Sequence, residues 1–285
     1  MTRRDFLPGA AGAGAAALGA LALSAQAQKV TRKGRLKQCV TRGCFAKSGL
    51  EFDGMCREAA RLGAVGFDLI TPPDFPTLKK HGLIPTMVPG GSTIPDGINR
   101  KELHDGIFER MNEAIDAAKA AGAPNVIVLA GNRRGMGDVE GIDNSVAYFN
   151  RIKPIAEDKR ITLCLEYLNS KVNHKDYHFD KMWWGVEVCK RVNSPRVKIL
   201  LDMYHVQIME GDIIRTVRDN FQYIAHFHTA GNPGRHEMDD TQEMNYRGIA
   251  RAIADLNYSG YIAHEYSPLR DALKSLDETL TMFDV

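Results

Sequence analysis

Leu163-Cys164-Leu165-Glu166-Tyr167-Leu168 is a short apolar run interrupted by a single carboxylate, and the fold follows from how often such a run returns. Similar runs stand at Leu36 to Val40, Gly66 to Ile70, Ile84 to Val88, Val126 to Ala130, Lys198 to Met203, Ile224 to Ala230 and Tyr261 to Tyr266. Each is short enough for a barrel strand. Longer stretches of helical periodicity separate them. In Arg100 to Ala121, residues Leu103, Ile107, Met111 and Ile115 share one face, and Gly122 supplies the stop. Asn144 to Ala156, Asp180 to Val192, Asp212 to Asn220, Tyr246 to Leu256 and Leu269 to Phe283 read as further helices. Eight alternations in about 250 residues predict an α/β fold, a single-domain (β/α)8 TIM barrel. A doubly wound sheet also alternates, but no G-x-G-x-x-G follows the first strand. The Pro/Gly-rich stretch Pro89 to Gly97 reads as the loop after the third strand, and no linker divides the chain.

In a parallel barrel the C-terminal ends of the strands converge on one mouth, so inward-facing polar residues late in strands form the expected active site. Strands five to eight each carry one. Glu166 and Asp202 end apolar runs, Ala225-His226-Phe227-His228 brings His228, and Ala263-His264-Glu265-Tyr266 brings Glu265. Any one of these read alone is a residue satisfied by a salt bridge or a backbone group. Four in successive strands put three carboxylates and an imidazole at one point, which repels itself without a cation. The oxygen-rich set suits one divalent ion, Mn²⁺, Mg²⁺ or Co²⁺, rather than thiolate-bound zinc. By the two-residue strand period His226 shares the inward face of His228 and reads as a hydrogen-bonded group beside the ligands, while His264 points away. Trp183 and Trp184 read as packing residues of the fifth helix.

These segments carry a resemblance. Cys164-Leu165-Glu166-Tyr167-Leu168-Asn169, the stretch from Asp202 through His205 to Asp212, Asn232-Pro233-Gly234-Arg235-His236-Glu237 and Gly260 to Tyr266 resemble the hydroxypyruvate isomerases of the xylose isomerase-like superfamily. The likeness is concentrated in the C-terminal half. It implies a divalent metal on Glu166, Asp202, His228 and Glu265, with Glu166 and Glu265 as the catalytic proton-transfer pair. It also implies that His205 contacts substrate oxygens, against a role in capping the following loop. Arg235, in a Gly/Pro turn, is suited to grip a carboxylate or hydroxyls; the alternative is a salt bridge with Glu237 or Asp239. His228 departs from the glutamine of the hydroxypyruvate isomerases toward the epimerases of the superfamily.

The implied activity is metal-dependent isomerisation or epimerisation of a small hydroxy-carbonyl or sugar substrate, hydroxypyruvate isomerisation being the nearest named reaction. Ketose epimerisation, β-elimination from a keto-glycoside, and non-catalytic sugar binding in the periplasm remain open alternatives. A net charge of +2 over 285 residues leaves no basic excess for nucleic acid. At the N-terminus, Arg3-Arg4 precedes an Ala/Gly/Leu stretch ending in Ala25-Gln26-Ala27, which resembles a twin-arginine export signal. Residues 1–27 are accordingly expected to be cleaved, leaving residues 28–285 as an exported, periplasmic barrel without a stable membrane span. The five cysteines show no C-x-x-C spacing and read mostly as buried apolar residues, with pairing of Cys39 and Cys44 left open, as is the oligomeric state.

Overall fold

In the computed structural model, which describes residues 28–285, every apolar run becomes a strand. The strands are β1 Lys37–Val40, β2 Gly66–Asp68, β3 Ile84–Met87, β4 Asn125–Val128, β5 Thr162–Glu166, β6 Val197–Asp202, β7 Ile224–Thr229 and β8 Tyr261–His264. The export signal expected over residues 1–27 lies outside the described residues. All paired strands run parallel, in the order β3-β2-β1-β8-β7-β6-β5-β4. A parallel bridge between Val88 and Val126 joins the two ends of this ladder, with Val88 N–H donating to the Asn125 carbonyl and Ile127 N–H to the Val88 carbonyl, both at 3.0 Å. The ring is the expected (β/α)8 barrel.

Parallel neighbours need a crossover, and helices supply it. They are α1 Phe52–Leu62, α2 Phe75–Lys80, α3 His104–Ala121, α4 Asp138–Lys159, α5 Met182–Val192, α6 Met203–Met209, α7 Ile213–Asn220, α8 Tyr246–Asp255 and α9 Ala272–Met282. Gly122 ends α3 at φ 71, the left-handed conformation that glycine adopts without a Cβ penalty. α4 starts six residues before the expected Asn144 because Asp138 and Glu140 sit favourably against the positive end of the helix. α6 was not expected. It follows β6 directly because the Asp202 side chain accepts hydrogen bonds from the backbone N–H groups of Tyr204 at 2.8 Å and His205 at 3.3 Å.

The strand period of two sorts side chains between two layers. Leu163, Leu165, Ile199, Leu201, Phe227 and Ile262 face the helices and join the large outer core. Met87, Ile127, Cys164 and Leu200 fill the barrel interior. Each fully buried aliphatic side chain of this kind contributes roughly 1.5–3 kcal/mol. The interior is unusual in also holding Asp68, Thr86 and His226, all buried. One step further along the inner face, Glu166, Asp202 and His228 reach the mouth.

Cys39 and Cys44 are free thiols, as are the other three cysteines. Cys39 donates to Asp68 and Cys44 to the His264 carbonyl at 3.0 Å, so each thiol has its own acceptor. Trp184 is buried against Phe179, whereas Trp183 is exposed. Among the described residues no helix is long and apolar enough to cross a membrane.

Candidate active site

Glu166, Asp202, His228 and Glu265 come together at the barrel mouth, each offering a ligand atom within 4.8 Å of the others. Glu166 and Asp202 are the last residues of β5 and β6, and His228 is the penultimate residue of β7. Glu265 lies one residue beyond β8, where its N–H still donates to the Thr229 carbonyl at 2.8 Å and prolongs the ladder. His228 Nδ1 stands 3.1 Å from Glu265 Oε2 and 3.4 Å from Glu166 Oε1. One oxygen of Asp202 caps α6, which leaves the other for the site.

The cluster carries more negative charge than the protein neutralises. Burial pushes the Asp202 carboxyl up to about 7, with Glu265 and Glu166 adding to the effect and Arg235 and His228 opposing it. Burial also raises Glu166, against the pull of its hydrogen bond with His228. Glu265 is held down at about 2: burial disfavours its charge, but His228 and Arg235 outweigh that. Burial equally disfavours a charged His228, yet its hydrogen bonds with Asp68, Glu166 and Glu265 raise it well above the ordinary range. Three acceptor-only carboxylates and one imidazole, short of positive charge, form a donor set that fits a hard divalent cation.

His205 is fully buried on α6, and Asn169 donates an amide hydrogen to its Nδ1. That leaves the proton on Nε2, which has no hydrogen-bond partner and lies 3.6 Å from Asp202 Oδ2. Burial holds His205 well below its ordinary value, so it is a neutral donor aimed at the ligand cluster. It does not cap a loop; it lies within a helix. Arg235, at φ 58, is fixed by its N–H bonding to the Gly231 carbonyl and its carbonyl to Ser267 N–H. Its guanidinium donates to Glu265 Oε2 at 2.8 Å and lies 5.4 Å from the Tyr204 ring centre. The alternative partners, Glu237 and Asp239, pair instead with Arg270.

Three residues next to the site escaped the sequence reading. Asn169 orients His205, and His174 packs on the His205 ring at 5.2 Å. Asp68, at the end of β2, lies behind His228: Asp68 Oδ2 is 2.9 Å from His228 Nε2 and 2.6 Å from His226 Nε2. Its signal was present, since Asp68 is a lone acid in the apolar run Gly66 to Ile70, as Glu166 is in its own run.

Two cavities, of about 380 and 330 Å³, open on either side of the Arg235–Glu265 pair, with Leu69 lining both. The first holds Thr41, Arg42 and Ser267. Arg42 already pairs with Asp74 at 2.7 Å and lies over the Phe52 ring. The second is walled by Pro89, Ile94, Ile127, Leu129 and Leu168. Gly90 at its edge is required: a Cβ there would stand 2.1 Å from the Ile127 carbonyl oxygen.

The family profile described as "Xylose isomerase-like TIM barrel" matches residues 56–282. A Xenopus laevis protein named "Putative hydroxypyruvate isomerase" is 27% identical over 171 residues, which are 58% of this chain and 62% of that protein. The match thus spans less than two thirds of that relative's length. A 2-oxo-tetronate isomerase from Pectobacterium atrosepticum is 27% identical over 236 residues, covering 74% of this chain and 85% of that one. Among solved structures, an AP endonuclease of family 2 from Brucella melitensis superposes with a TM-score of 0.74 at 23% identity, covering 85% of this chain and 96% of that one.

Proposed function

The chain belongs to the xylose isomerase-like TIM barrel family, and from that premise we propose that it is a metal-dependent isomerase or epimerase that moves a proton beside a carbonyl group. The observation that carries the proposal is the convergence of Glu166, Asp202, His228 and Glu265 within 4.8 Å. These four residues would hold one divalent ion, Mn²⁺, Mg²⁺ or Co²⁺. When bound, the ion supplies a Lewis acid for the negative charge that develops on a substrate carbonyl oxygen as the neighbouring C–H proton leaves. The carboxylates of Glu166 and Glu265 are the groups that take up and return that proton. His205 Nε2–H donates to a substrate oxygen, and Arg235 binds a hydroxyl or carboxylate from the Glu265 side. Hydroxypyruvate isomerisation is the nearest named activity.

The cavities favour a second substrate class for the same residues. The cavity that Glu166 and Glu265 line is also walled by Ile94, Ile127, Leu129 and Leu168, apolar surface that a ketose or keto-glycoside would cover more fully than a three-carbon oxo acid. Deuterium uptake from solvent, followed in hydroxypyruvate, 2-oxo acids and keto-sugars, tests both readings. Mn²⁺-loaded protein is expected to exchange the C–H next to the carbonyl, and chelation or Glu265→Gln to slow it about 10²- to 10⁴-fold. Binding without exchange for every substrate would overturn the enzyme reading in favour of a sugar-binding barrel.

Export through Arg3-Arg4 is part of the proposal, since a twin-arginine route suits a protein that folds around a metal before leaving the cytoplasm. Changing Arg3 and Arg4 to Lys is expected to strand loaded protein in the cytoplasm. Unchanged export of that variant rules the route out.

A further inference from the structure

We propose that Asp68 is the positioning residue of the metal site, fixing His228 with its proton on Nε2 so that Nδ1 is the ring atom presented to Glu166, Asp202 and Glu265. The proposal rests on the metal-site reading above. Asp68 is a carboxylate 1% exposed inside the barrel, in a place where an ionised group persists only if it is fully compensated.

Its compensation is complete. Oδ1 accepts the Thr86 hydroxyl and the Cys39 thiol, the latter at 3.4 Å. Oδ2 faces His226 Nε2 at 2.6 Å and His228 Nε2 at 2.9 Å. An ionised carboxylate offers about four acceptor sites and no donor, so both imidazoles must present N–H groups to it. For His226 the other end of the ring agrees. The Asn125 amide nitrogen, which donates to the Thr86 carbonyl at 3.0 Å, also lies 3.4 Å from His226 Nδ1 and marks that nitrogen as an acceptor. His226 therefore fills its share of Oδ2 through Nε2–H, and the remaining share belongs to His228. His228 Nδ1 stands among the glutamates, 3.1 Å from Glu265 Oε2 and 3.4 Å from Glu166 Oε1, and without a cation it too presents a proton to them; an ion held there would displace that proton and not the one Asp68 keeps on Nε2.

The backbone is built to aim Asp68. The β2–β3 register shifts between Phe67 and Asp68, pairing Asp68 with Met87 and passing over Thr86, whose hydroxyl then reaches the carboxylate. Leu69, the next residue, sits at φ 58, a left-handed conformation that a branched side chain rarely takes. The network spans β1, β2, β3 and β7, and so ties strands without ligands to one that carries a ligand. A carboxylate behind a metal-binding imidazole fixes its tautomer and orientation and makes it a better base toward the metal. The group Cys39, Asp68 and His226 also has the composition of a metal site, but its acceptors are already filled by hydrogen bonds.

The test is an Mn²⁺ titration of the full chain and of Asp68→Asn, following free Mn²⁺ by electron paramagnetic resonance. Wild type is expected to bind one ion, and the folded variant one ion about 10- to 100-fold more weakly. Equal affinity in the two overturns the positioning role and leaves the metal site standing. A wild type that binds no ion brings down the metal site and this inference together. Two ions per wild-type chain, with only the second lost in Asp68→Asn, assigns Asp68 to a site of its own and also overturns the inference. Because Asp68→Asn is a core substitution, nitrogen-15 spectra of the histidines in Mg²⁺-loaded wild type give an independent readout. The resonance lost in His228→Gln is expected to carry its proton on Nε2; a proton on Nδ1 overturns the proposal without reference to any Asp68 variant.

Discussion

Asp68 and Asp202 each end a strand on the inner face of the same barrel, each is 1% exposed, and only His228 separates their surroundings. Their environments are nevertheless opposite. Around Asp68 every neighbour is a donor, and although burial disfavours its charge, His226 and His228 hold the carboxyl far below its ordinary range. Around Asp202, burial, Glu265 and Glu166 together push the carboxyl up to about 7. Burial alone does not distinguish a structural carboxylate from a site carboxylate. What distinguishes them is whether the protein itself surrounds the carboxylate with hydrogen-bond donors or gathers further carboxylates beside it and leaves the balancing charge to be brought from outside.

The largest effect is expected where compensation is complete. Asp68→Asn removes one partner from a buried charged network and should cost about 3–5 kcal/mol of unfolding free energy, read by urea denaturation near neutral pH, where the wild-type carboxylate is ionised. A loss of less than about 1 kcal/mol, the scale of exposed ion pairs, would erase the contrast between the two aspartates.

The same chemical change at Asp202 should have the opposite sign in metal-free protein. Its folded value lies above the ordinary 3.8, so the folded state keeps a proton that the unfolded state has released, and stability falls as pH rises from about 4 to about 7. Asn caps a helix as well as Asp does, so Asp202→Asn keeps the bonds to Tyr204 and His205. It should match wild type below about pH 4 and gain about 1–3 kcal/mol above about pH 7. With Mn²⁺ at about 1,000 times its dissociation constant the order should reverse, because wild type gains about 4.1 kcal/mol that the variant cannot. Thermal melts across pH with and without the ion check both halves.

An exposed pair sets the scale against which both effects are judged. Arg35→Ala removes the surface contact with Asp255 at 2.9 Å and should change stability by less than about 1 kcal/mol, and by less still in high salt. A larger loss would mean that the charges of this protein are strong everywhere, rather than in the barrel interior alone.

Much of the frame was legible in the chain itself. Eight apolar runs separated by helical stretches specify the alternation, and the period of two within Leu163 to Leu168 and Ala225 to His228 specifies which side chains turn inward. Local chemistry thereby determined the barrel and the four strand-end residues Glu166, Asp202, His228 and Glu265. α6 was missed because a cap is a matter of where one carboxylate oxygen points, which spacing does not encode. The pairing of Arg235 with Glu265 was not legible, because sequence proximity offers only Glu237 or Asp239 as an ion-pair alternative, whereas the turn at Gly234 carries the guanidinium to Glu265 just past β8. Asp68 shows the limit most plainly. In sequence it is the same signal as Glu166, a lone acid at the end of an apolar run. Only closure of the barrel brings Cys39, Thr86, His226 and His228 onto one of these carboxylates and other carboxylates onto Glu166, because the sign of a buried charge's surroundings is set by distant strands, not by its neighbours along the chain.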